Sequence, residues 1–409
     1  MRNKLAQLRQ SSASRAQVFT RYAIAGQSRY FYQLAGITLA IVFFGLVFLL
    51  SSSSIVSIQQ YDGDAFAISR RQLGFAVVGL VLMVFASVLR EEFYRRMVAR
   101  GFVIMLAVQL LTFFVGKNIN GNRSWLPIPF IGTIQPSEFL KVAMILMLAM
   151  TLADRAEVIY SARDYTHFAF WRVYVPSVGL VAIGSDMGTA IVISVIALLM
   201  LYLSGAPSQH LRLPLALVVI GGIAMLNIGS SRSGRISAWL SSGDDSSNAY
   251  AWQSVHGIWA VAAGGLTGVG IGQSKLKWSW IPEVENDYIF AIIAEEGGLL
   301  LALLTLAAFA YLGVCLYRIY QRCEGTFQKL VTLGVFAWIV CQAAINIAVV
   351  IGVAPVLGVP LPLISQGGSS LIAALIAIGI VLGFERENHQ RLGRRPVAQT
   401  RKPAKQATR

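Results

Sequence analysis

The sequence predicts an all-α polytopic membrane protein with about ten transmembrane helices. Three observations support this prediction: of the 409 residues, 56% are hydrophobic and only 13% are charged, and the mean hydropathy is +0.64. Soluble proteins carry about 25% charged residues. A chain with so few charges cannot cover a water-soluble surface, so we expect lipid to surround most of it.

Ten apolar segments have roughly the length that a helix needs to cross the hydrocarbon core, about 20 residues. An even number of spans places both termini on the same side of the membrane. The first span is predicted to remain as an anchor, because it has no small-residue cleavage site. The ten segments are 31–50, 73–89, 101–116, 138–153, 171–185, 188–204, 213–229, 289–316, 330–351 and 368–384.

Lysine and arginine are concentrated in the N-terminal arm, in every second connection and in the C-terminal tail. These segments carry 25 of the 34 Lys and Arg residues. Because cytoplasmic segments are enriched in Lys and Arg, this side and both termini are predicted to be cytoplasmic. The net charge of +15 therefore indicates topology and contact with anionic lipid, and it does not favour nucleic-acid binding.

This pattern divides the chain into three regions. Residues 1–29 form a basic cytoplasmic arm, residues 30–384 form the transmembrane domain, and residues 385–409 form a basic tail that is predicted to be disordered. Within the domain, residues 230–288 form one long extracytoplasmic loop before the eighth span. Loops of this length are usually functional or disordered, so we expect the function to lie on the outer face.

The long outer loop contains two local patterns. Trp252, Val255 and Trp259 recur at helical spacing, which predicts a short amphipathic helix at the membrane interface. The glycine-rich run 264–272 lacks the strand and helix that flank a dinucleotide site, so it is predicted to line an outer cavity. The four histidines and three cysteines show no metal-ligand or disulfide pattern. Nothing in the sequence therefore predicts an organic cofactor.

Ionisable side chains inside a membrane are costly, by about 2.5–3.5 kcal/mol at a helix centre, and they therefore mark candidate functional sites. Glu138 and Lys141 lie on one face of the fourth span, where they can bind substrate or neutralise each other. Asp186, between the fifth and sixth spans, is a candidate site residue or a cap of the following helix. Glu295 and Glu296 lie two turns into the eighth span.

Asp287 closes the outer loop immediately before the eighth span. It can be an ordinary cap, because a helix N-terminus favours an anion. Alternatively, the like charges of Glu283 and Glu285 favour a catalytic base at this position. Arg123 and Trp125 are candidates beyond the third span, where Trp125 can instead belong to the interfacial aromatic belt.

Proline and glycine are dense between residues 355 and 370. This density breaks a helix, and broken backbone at membrane depth is tolerated only where it is buried in protein or lines a cavity. The segment is therefore predicted to line a cavity, with a plain turn between spans as the alternative.

Four segments resemble the motifs of the SEDS family (shape, elongation, division and sporulation), in that family's order and span positions. The resemblance covers nearly the whole chain, from about residue 30 to residue 385. The serine run 51–54 and Asn286 are more similar to FtsW-type division members than to RodA-type elongation members. The four segments are 135–141, 186–190, 282–290 and 361–370.

The resemblance implies a peptidoglycan glycosyltransferase that polymerises lipid II at the outer face of the cytoplasmic membrane, in cell division. The implied partners are lipid II, the growing lipid-linked glycan, a class B penicillin-binding protein and other membrane proteins of the division complex. Asp287 matches the family's essential acid, and Glu138, Lys141, Trp125 and Asp186 match its motif residues.

Three positions depart from the family pattern. Glu285 stands where the family usually has His, Ser124 stands where Arg usually precedes the matching tryptophan, and Gln366 stands where Tyr is usual. The first change removes an imidazole from beside the candidate base, so it affects the expected activity most directly.

The implied reaction joins a sugar hydroxyl to an anomeric carbon that carries a lipid pyrophosphate. Asp287 is the candidate base for the hydroxyl proton, and cations stabilise the leaving group. Oxygen ligands suit Mg²⁺ or Mn²⁺, so a divalent ion shared by Asp287 and pyrophosphate fits this chemistry. The candidates for binding substrate or pyrophosphate are Glu138, Lys141, Arg123, Trp125, Asp186, Arg235, Ser369 and Ser370.

Two other functions fit the sequence. A lipid II flippase agrees with ten spans and with charged residues inside the membrane, although no inverted repeat is visible. A non-catalytic scaffold that activates the penicillin-binding protein agrees with the replacement of His by Glu285.

Overall fold

The computed structural model describes residues 27–119, 122–128, 132–156, 168–205, 249–278 and 284–393, with a few isolated residues between 206 and 248. The described residues are mostly helical, as predicted. A π-helical turn, Phe170–Tyr174, leads directly into the fifth helix. The α-helices are α1 Arg29–Gln60, α2 Ala67–Val88, α3 Glu91–Val115, α4 Pro136–Ala156, α5 Val175–Ile183, α6 Met187–Leu203, α7 Ala249–Ala263, α8 Ile289–Arg322, α9 Thr326–Val350 and α10 Gly368–Gly393.

Among the described helices, seven are long and apolar enough to cross a membrane: α1 to α4 and α8 to α10. The helices α5 and α6 are apolar but shorter. Large apolar side chains on α1 to α3, including Phe43, Val81, Val103 and Phe114, are exposed, as a lipid-facing surface requires. The prediction of a multi-pass helical membrane protein is confirmed. The predicted span 213–229 lies mostly outside the described residues.

Helices α4, α9 and α10 form the centre of the bundle. Helix α10 packs mainly against α2, and α9 packs against α4, α6 and α8. Side chains at these contacts, such as Leu140, Met144 and Trp338, are fully buried. The candidate residues on α4 and α10 therefore belong to the most enclosed helices of the molecule.

Polar side chains join the start of α1 to the last turns of α8 and α10, at what is here named the terminal end. Ser28 Oγ donates to Glu385 Oε1 at 2.6 Å, and Arg322 Nε donates to the same oxygen at 3.1 Å. Because Glu385 is buried and paired, α10 continues to Gly393, and residues 385–393 do not belong to a disordered tail. Residues 1–26 and 394–409 lie outside the described residues.

Three antiparallel strands connect α3 to α4 at the opposite end of the bundle, here named the sheet end. Lys117 pairs with Trp125, and Pro127 pairs with Thr133. The all-helical prediction missed this sheet. Proline and glycine in the connection exclude a helix, so its backbone groups pair between strands instead. The strands are β1 Lys117–Ile119, β2 Asn122–Ile128 and β3 Gly132–Ile134.

The segment between α9 and α10 has no regular secondary structure, as its prolines predict. Val359, Leu361 and Ile364 within it are buried. Two of its carbonyls accept hydrogen bonds from side chains of α9, from Gln342 to Pro360 and from Asn346 to Val359. The broken backbone is therefore enclosed by protein, which is the condition for tolerating it at membrane depth.

The described part of the long outer loop contains the predicted short helix, which is α7, Ala249–Ala263. The glycine-rich run follows α7 and packs against α8. Helix α8 itself is interrupted at Gly298, whose backbone angles are φ 66° and ψ −168°. Arg235 lies outside the described residues.

Candidate active site

Glu138 and Lys141 form a buried ion pair in the first turns of α4, with Lys141 Nζ 2.9 Å from Glu138 Oε2. Both side chains are at most 2% exposed. Lys141 Nζ also donates to Gln342 Oε1 at 3.1 Å and lies 4.6 Å from the centre of the Trp338 ring. The ion pair that the sequence allowed is therefore present. Lys141 is thus a paired cation, held against α9.

Asp186 caps α6, as the sequence allowed. Its Oδ1 accepts a hydrogen bond from the amide of Thr189 at 3.1 Å, and its Oδ2 accepts one from Gln135 Nε2 at 2.6 Å. Burial raises the pKa of Asp186, and the negative charge of Glu138 adds to this effect, while the hydrogen bonds from Thr189 and Gln135 oppose it. The two carboxylates are therefore close enough to interact.

Gln135 connects Asp186 to the start of α10. Its backbone amide donates to Ser369 Oγ at 3.0 Å, while its side chain donates to Asp186. Ser369 is buried and Ser370 is partly exposed. Three of the predicted segments, from α4, α6 and α10, therefore meet at Gln135.

Strand β2 places Arg123 and Trp125 next to the Asp186 turn. The amide of Arg123 donates to the carbonyl of Gly184 at 3.0 Å, and Ser124 Oγ is 3.4 Å from the same carbonyl. The Arg123 side chain is exposed, and Trp125 is partly buried. The structure thus brings the Arg123 backbone to the site.

Asp287 lies in the turn 284–287 that leads into α8. The N-cap residue of α8 is Tyr288, which makes no side-chain capping bond. Asn346 Nδ2 donates to the carbonyl of Asp287 at 2.7 Å, and the amide of Gln366 donates to the carbonyl of Glu285 at 2.9 Å. The turn is therefore fixed from both sides, by α9 and by the segment before α10.

Two amide side chains of α9 connect the Lys141 pair to the Asp287 turn. Gln342 accepts from Lys141 and donates to the carbonyl of Pro360 at 2.9 Å. One turn further along, Asn346 donates to the carbonyls of Val359 and Asp287, both at 2.7 Å. The four predicted segments therefore form one continuous hydrogen-bonded site at the sheet end.

Sequence reasoning missed the three amides that assemble this site: Gln135, Gln342 and Asn346. Gln342 and Asn346 lie four residues apart in the apolar second half of α9. Polar side chains with that spacing share a helix face, and in a membrane helix they usually face the protein interior. This spacing in the sequence could have identified both amides as site residues.

An apolar groove of about 840 Å³ opens beside the site, between α2, the β3 strand and α10. Phe75, Val78 and Ile372 are among its apolar lining residues, and Ser369 lines it as well. Its charged lining residue is Arg71, whose guanidinium occupies the space that a side chain at Gly132 would fill. Through Ser369 the groove reaches the hydrogen-bonded site.

The described side chains do not by themselves form a metal site. Within the residues that the structure describes, no group of three or more His, Cys, Asp or Glu side chains is placed to hold an ion. Both oxygens of Asp186 accept hydrogen bonds, and Glu138 is paired with Lys141. A divalent ion at Asp287 therefore needs substrate oxygens to complete its coordination.

The sequence profile of the FTSW_RODA_SPOVE family of cell cycle proteins matches residues 32–390. The chain belongs to this family. It is 34% identical over 360 residues to stage V sporulation protein E of Bacillus subtilis, covering 86% of this chain and 95% of the relative. It is 32% identical over 377 residues to the probable peptidoglycan glycosyltransferase FtsW of Legionella pneumophila, covering 89% and 93%. The resemblance to FtsW-type SEDS proteins is confirmed.

Two solved structures share the fold of this FTSW_RODA_SPOVE member. The rod shape determining protein RodA of Thermus thermophilus has a TM-score of 0.67 at 24% identity, covering 90% of this chain and 99% of that one. A chain from a study described as "Structural coordination of polymerization and crosslinking by a peptidoglycan synthase complex" has a TM-score of 0.71 at 25% identity, covering 88% and 98%.

Proposed function

We propose that this chain is a peptidoglycan glycosyltransferase that polymerises lipid II into glycan strands, in cell division. The observation that carries the proposal is the joining of the Asp287 turn, the Lys141 pair and the Asp186 turn into one site beside an apolar groove. Relatives named probable peptidoglycan glycosyltransferase FtsW support the same enzyme class.

In the proposed reaction, the 4-hydroxyl of one sugar attacks the anomeric carbon of another, and the lipid pyrophosphate leaves. A sugar hydroxyl is a weak nucleophile, and a positioned base contributes about 10²–10⁴ in rate. Asp287 accepts this proton. Its turn is fixed by Asn346 and Gln366, so the backbone that carries the carboxylate does not need to be ordered when substrate binds.

The leaving pyrophosphate develops negative charge that cations stabilise. Arg71 in the groove, which sequence reasoning missed, and Arg123 on β2 are the candidates. Lys141 is paired with Glu138 and acts by holding α4 against α9. A divalent cation, Mg²⁺ or Mn²⁺, bound between Asp287 and the pyrophosphate, would neutralise the same charge.

The polyprenyl tail of lipid II requires an apolar surface that opens to the bilayer. The groove beside Ser369 supplies one, because Phe75, Val78 and Ile372 line it. With the tail in this groove, the pyrophosphate lies near Arg71 and Ser369, at the boundary between apolar and polar surface.

We assign the sheet end to the outer side of the inner membrane and the terminal end to the cytoplasm, because the Lys- and Arg-rich segments adjoin the terminal end. The working partner in this proposal is a class B penicillin-binding protein, together with other membrane proteins of the division complex. The structural relative from a peptidoglycan synthase complex supports a partner of this kind.

The test uses the purified full-length chain and its penicillin-binding partner in liposomes, with lipid II as substrate. We expect glycan polymer from the wild type and none from the folded, membrane-inserted Asp287→Ala variant. Polymer from that variant would remove the assignment of the base. Lipid II flipping without polymer would favour a flippase, and complementation of a deletion strain by Asp287→Ala would favour a scaffold.

A further inference from the structure

The glycine-rich segment 264–278, here named the arm, is bonded to α8 where that helix is interrupted. The amides of Val269 and Gly270 donate to the carbonyls of residues 295 and 296, both at 3.0 Å. In return, the amides of residues 299 and 300 donate to carbonyls of the arm. The break at Gly298 frees these groups from the helix, and the arm satisfies them.

Buried side chains reinforce this attachment. Glu296 Oε1 accepts from Ser51 Oγ at 2.6 Å and lies 3.4 Å from Lys277 Nζ. Lys277 Nζ also donates to Ser51 Oγ at 3.2 Å and to the carbonyl of Gly272 at 2.8 Å. Lys277 and Glu296 are 5% and 1% exposed. These three side chains join the arm, α8 and α1.

Glu296 lies nine residues after Asp287, in the segment 289–297 of α8, which begins directly after the Asp287 turn. The other end of this segment, at the Asp287 turn, is held by Asn346 and Gln366. A buried ion pair adds little stability compared with apolar side chains of the same size. It does, however, require one particular arrangement, because either charge is strongly disfavoured when it is displaced from the other.

We propose that Ser51, Lys277 and Glu296 are positioning residues that set the location of the Asp287 carboxylate through the segment 289–297 of α8. This inference rests on the proposed function. The three residues do not touch the reacting atoms; they fix one end of the α8 segment whose other end adjoins the base. Loss of the pair is expected to lower kcat and to leave KM for lipid II unchanged.

The test variant is Lys277→Met combined with Glu296→Gln, which removes both charges and leaves neither one buried alone. The matched control is Lys275→Met, which removes the same charge from an exposed side chain of the arm. Each full-length chain is compared in lipid nanodiscs by hydrogen–deuterium exchange, and with its partner by polymerisation kinetics. In the double variant we expect exchange in the arm to rise and kcat to fall about 100-fold, the effect of misplacing a catalytic group by about 1 Å.

The expected pattern also includes unchanged exchange in α9 and α10 and unchanged KM. Exchange and kcat equal to those of Lys275→Met would overturn the proposal. Faster exchange throughout the chain, with kcat and KM both altered, would also overturn it, because the pair would then be merely structural. If the wild type makes no polymer, the proposed function fails, and the exchange data alone decide whether the pair holds the arm.

Discussion

Glu138, Lys141 and Asp186 are single residues whose burial is explained by their neighbours. Lys141 is compensated by Glu138, Gln342 and the Trp338 ring, and Asp186 by Thr189 and Gln135. Taking a charge out of water costs several kcal/mol unless it is paired and hydrogen-bonded. Gln342 and Trp338 reach Lys141 from α9, and Gln135 reaches Asp186 from the start of α4. The contacts that make these charges tolerable therefore also hold the site together.

The ion pair gives a prediction about stability. Lys141→Met leaves Glu138 buried without its cation, and we expect a loss of about 3–5 kcal/mol in the free energy of unfolding. Lys141→Met combined with Glu138→Gln is expected to recover most of this loss, because no unpaired charge remains. Thermal unfolding in detergent, followed by tryptophan fluorescence, measures both. A double variant as unstable as the single one would show that the charge pairing is not the cause.

The charged site residues were predictable because ionisable groups are rare and costly in a membrane. Gln135, Gln342 and Asn346 were not predicted, since an uncharged amide in an apolar helix gives a weaker signal than a carboxylate. The sequence also left two roles open for Glu138 and Lys141, which were to bind substrate or to neutralise each other. Only the three-dimensional contacts distinguish these alternatives, because the same spacing permits both.

At the scale of elements, the interruption of α8 determines how the outer loop is attached. Gly298 adopts φ 66°, and a Cβ atom there would lie 2.3 Å from the amide nitrogen of Gly268. The arm therefore approaches the helix more closely than any other residue type at this position allows.

We predict that Gly298→Ala destabilises the protein, by about 1–3 kcal/mol from backbone strain alone, and displaces the arm. The control is Gly36→Ala in α1, where a Cβ meets no atom within 4 Å; there we expect stabilisation of about 0.5–1 kcal/mol. Thermal unfolding and limited proteolysis of the arm measure the two effects. Equal behaviour of both variants would contradict the close packing at Gly298.

The apolar spans were predictable from composition and length, because a membrane imposes both on a helix. Their ends were less predictable. Helix α1 continues through the serine run to Gln60, and α10 continues through Glu385, since paired polar residues prolong a helix beyond its apolar part. The sheet between α3 and α4 was missed because two of its strands have only three residues and the longest contains proline.

For the whole molecule, the position of the groove beside the site leads to a prediction about substrate length. Val78 lines the groove, whereas Val81 on the same helix is exposed and is not among the lining residues. Val78→Trp is expected to raise KM about tenfold for lipid II with a full polyprenyl chain, roughly the effect of losing one buried apolar contact. We expect little change for a short-chain analogue.

Val81→Trp serves as the matched control, since it places the same ring on the same helix outside the groove. Initial rates of polymerisation at varied concentrations of both substrates provide the measurement. If Val78→Trp and Val81→Trp raise KM equally, or if the short-chain substrate is affected as much as the long one, the groove does not hold the lipid tail.

The proposed reaction depends on the Asp287 carboxylate, which accepts the proton of the attacking hydroxyl. Asp287→Asn keeps the size of the side chain and removes the base, so kcat is expected to fall by about 10²–10⁴. The control is Asp62→Asn, at an exposed aspartate whose φ of 49° Asn also adopts readily.

This role is tested by the polymerisation rates of these two variants. Hydrogen–deuterium exchange and thermal unfolding equal to those of the wild type show that each variant is folded. We expect full activity for Asp62→Asn and almost none for a folded Asp287→Asn. A folded Asp287→Asn chain that polymerises lipid II at the wild-type rate would contradict the role of Asp287 as the base.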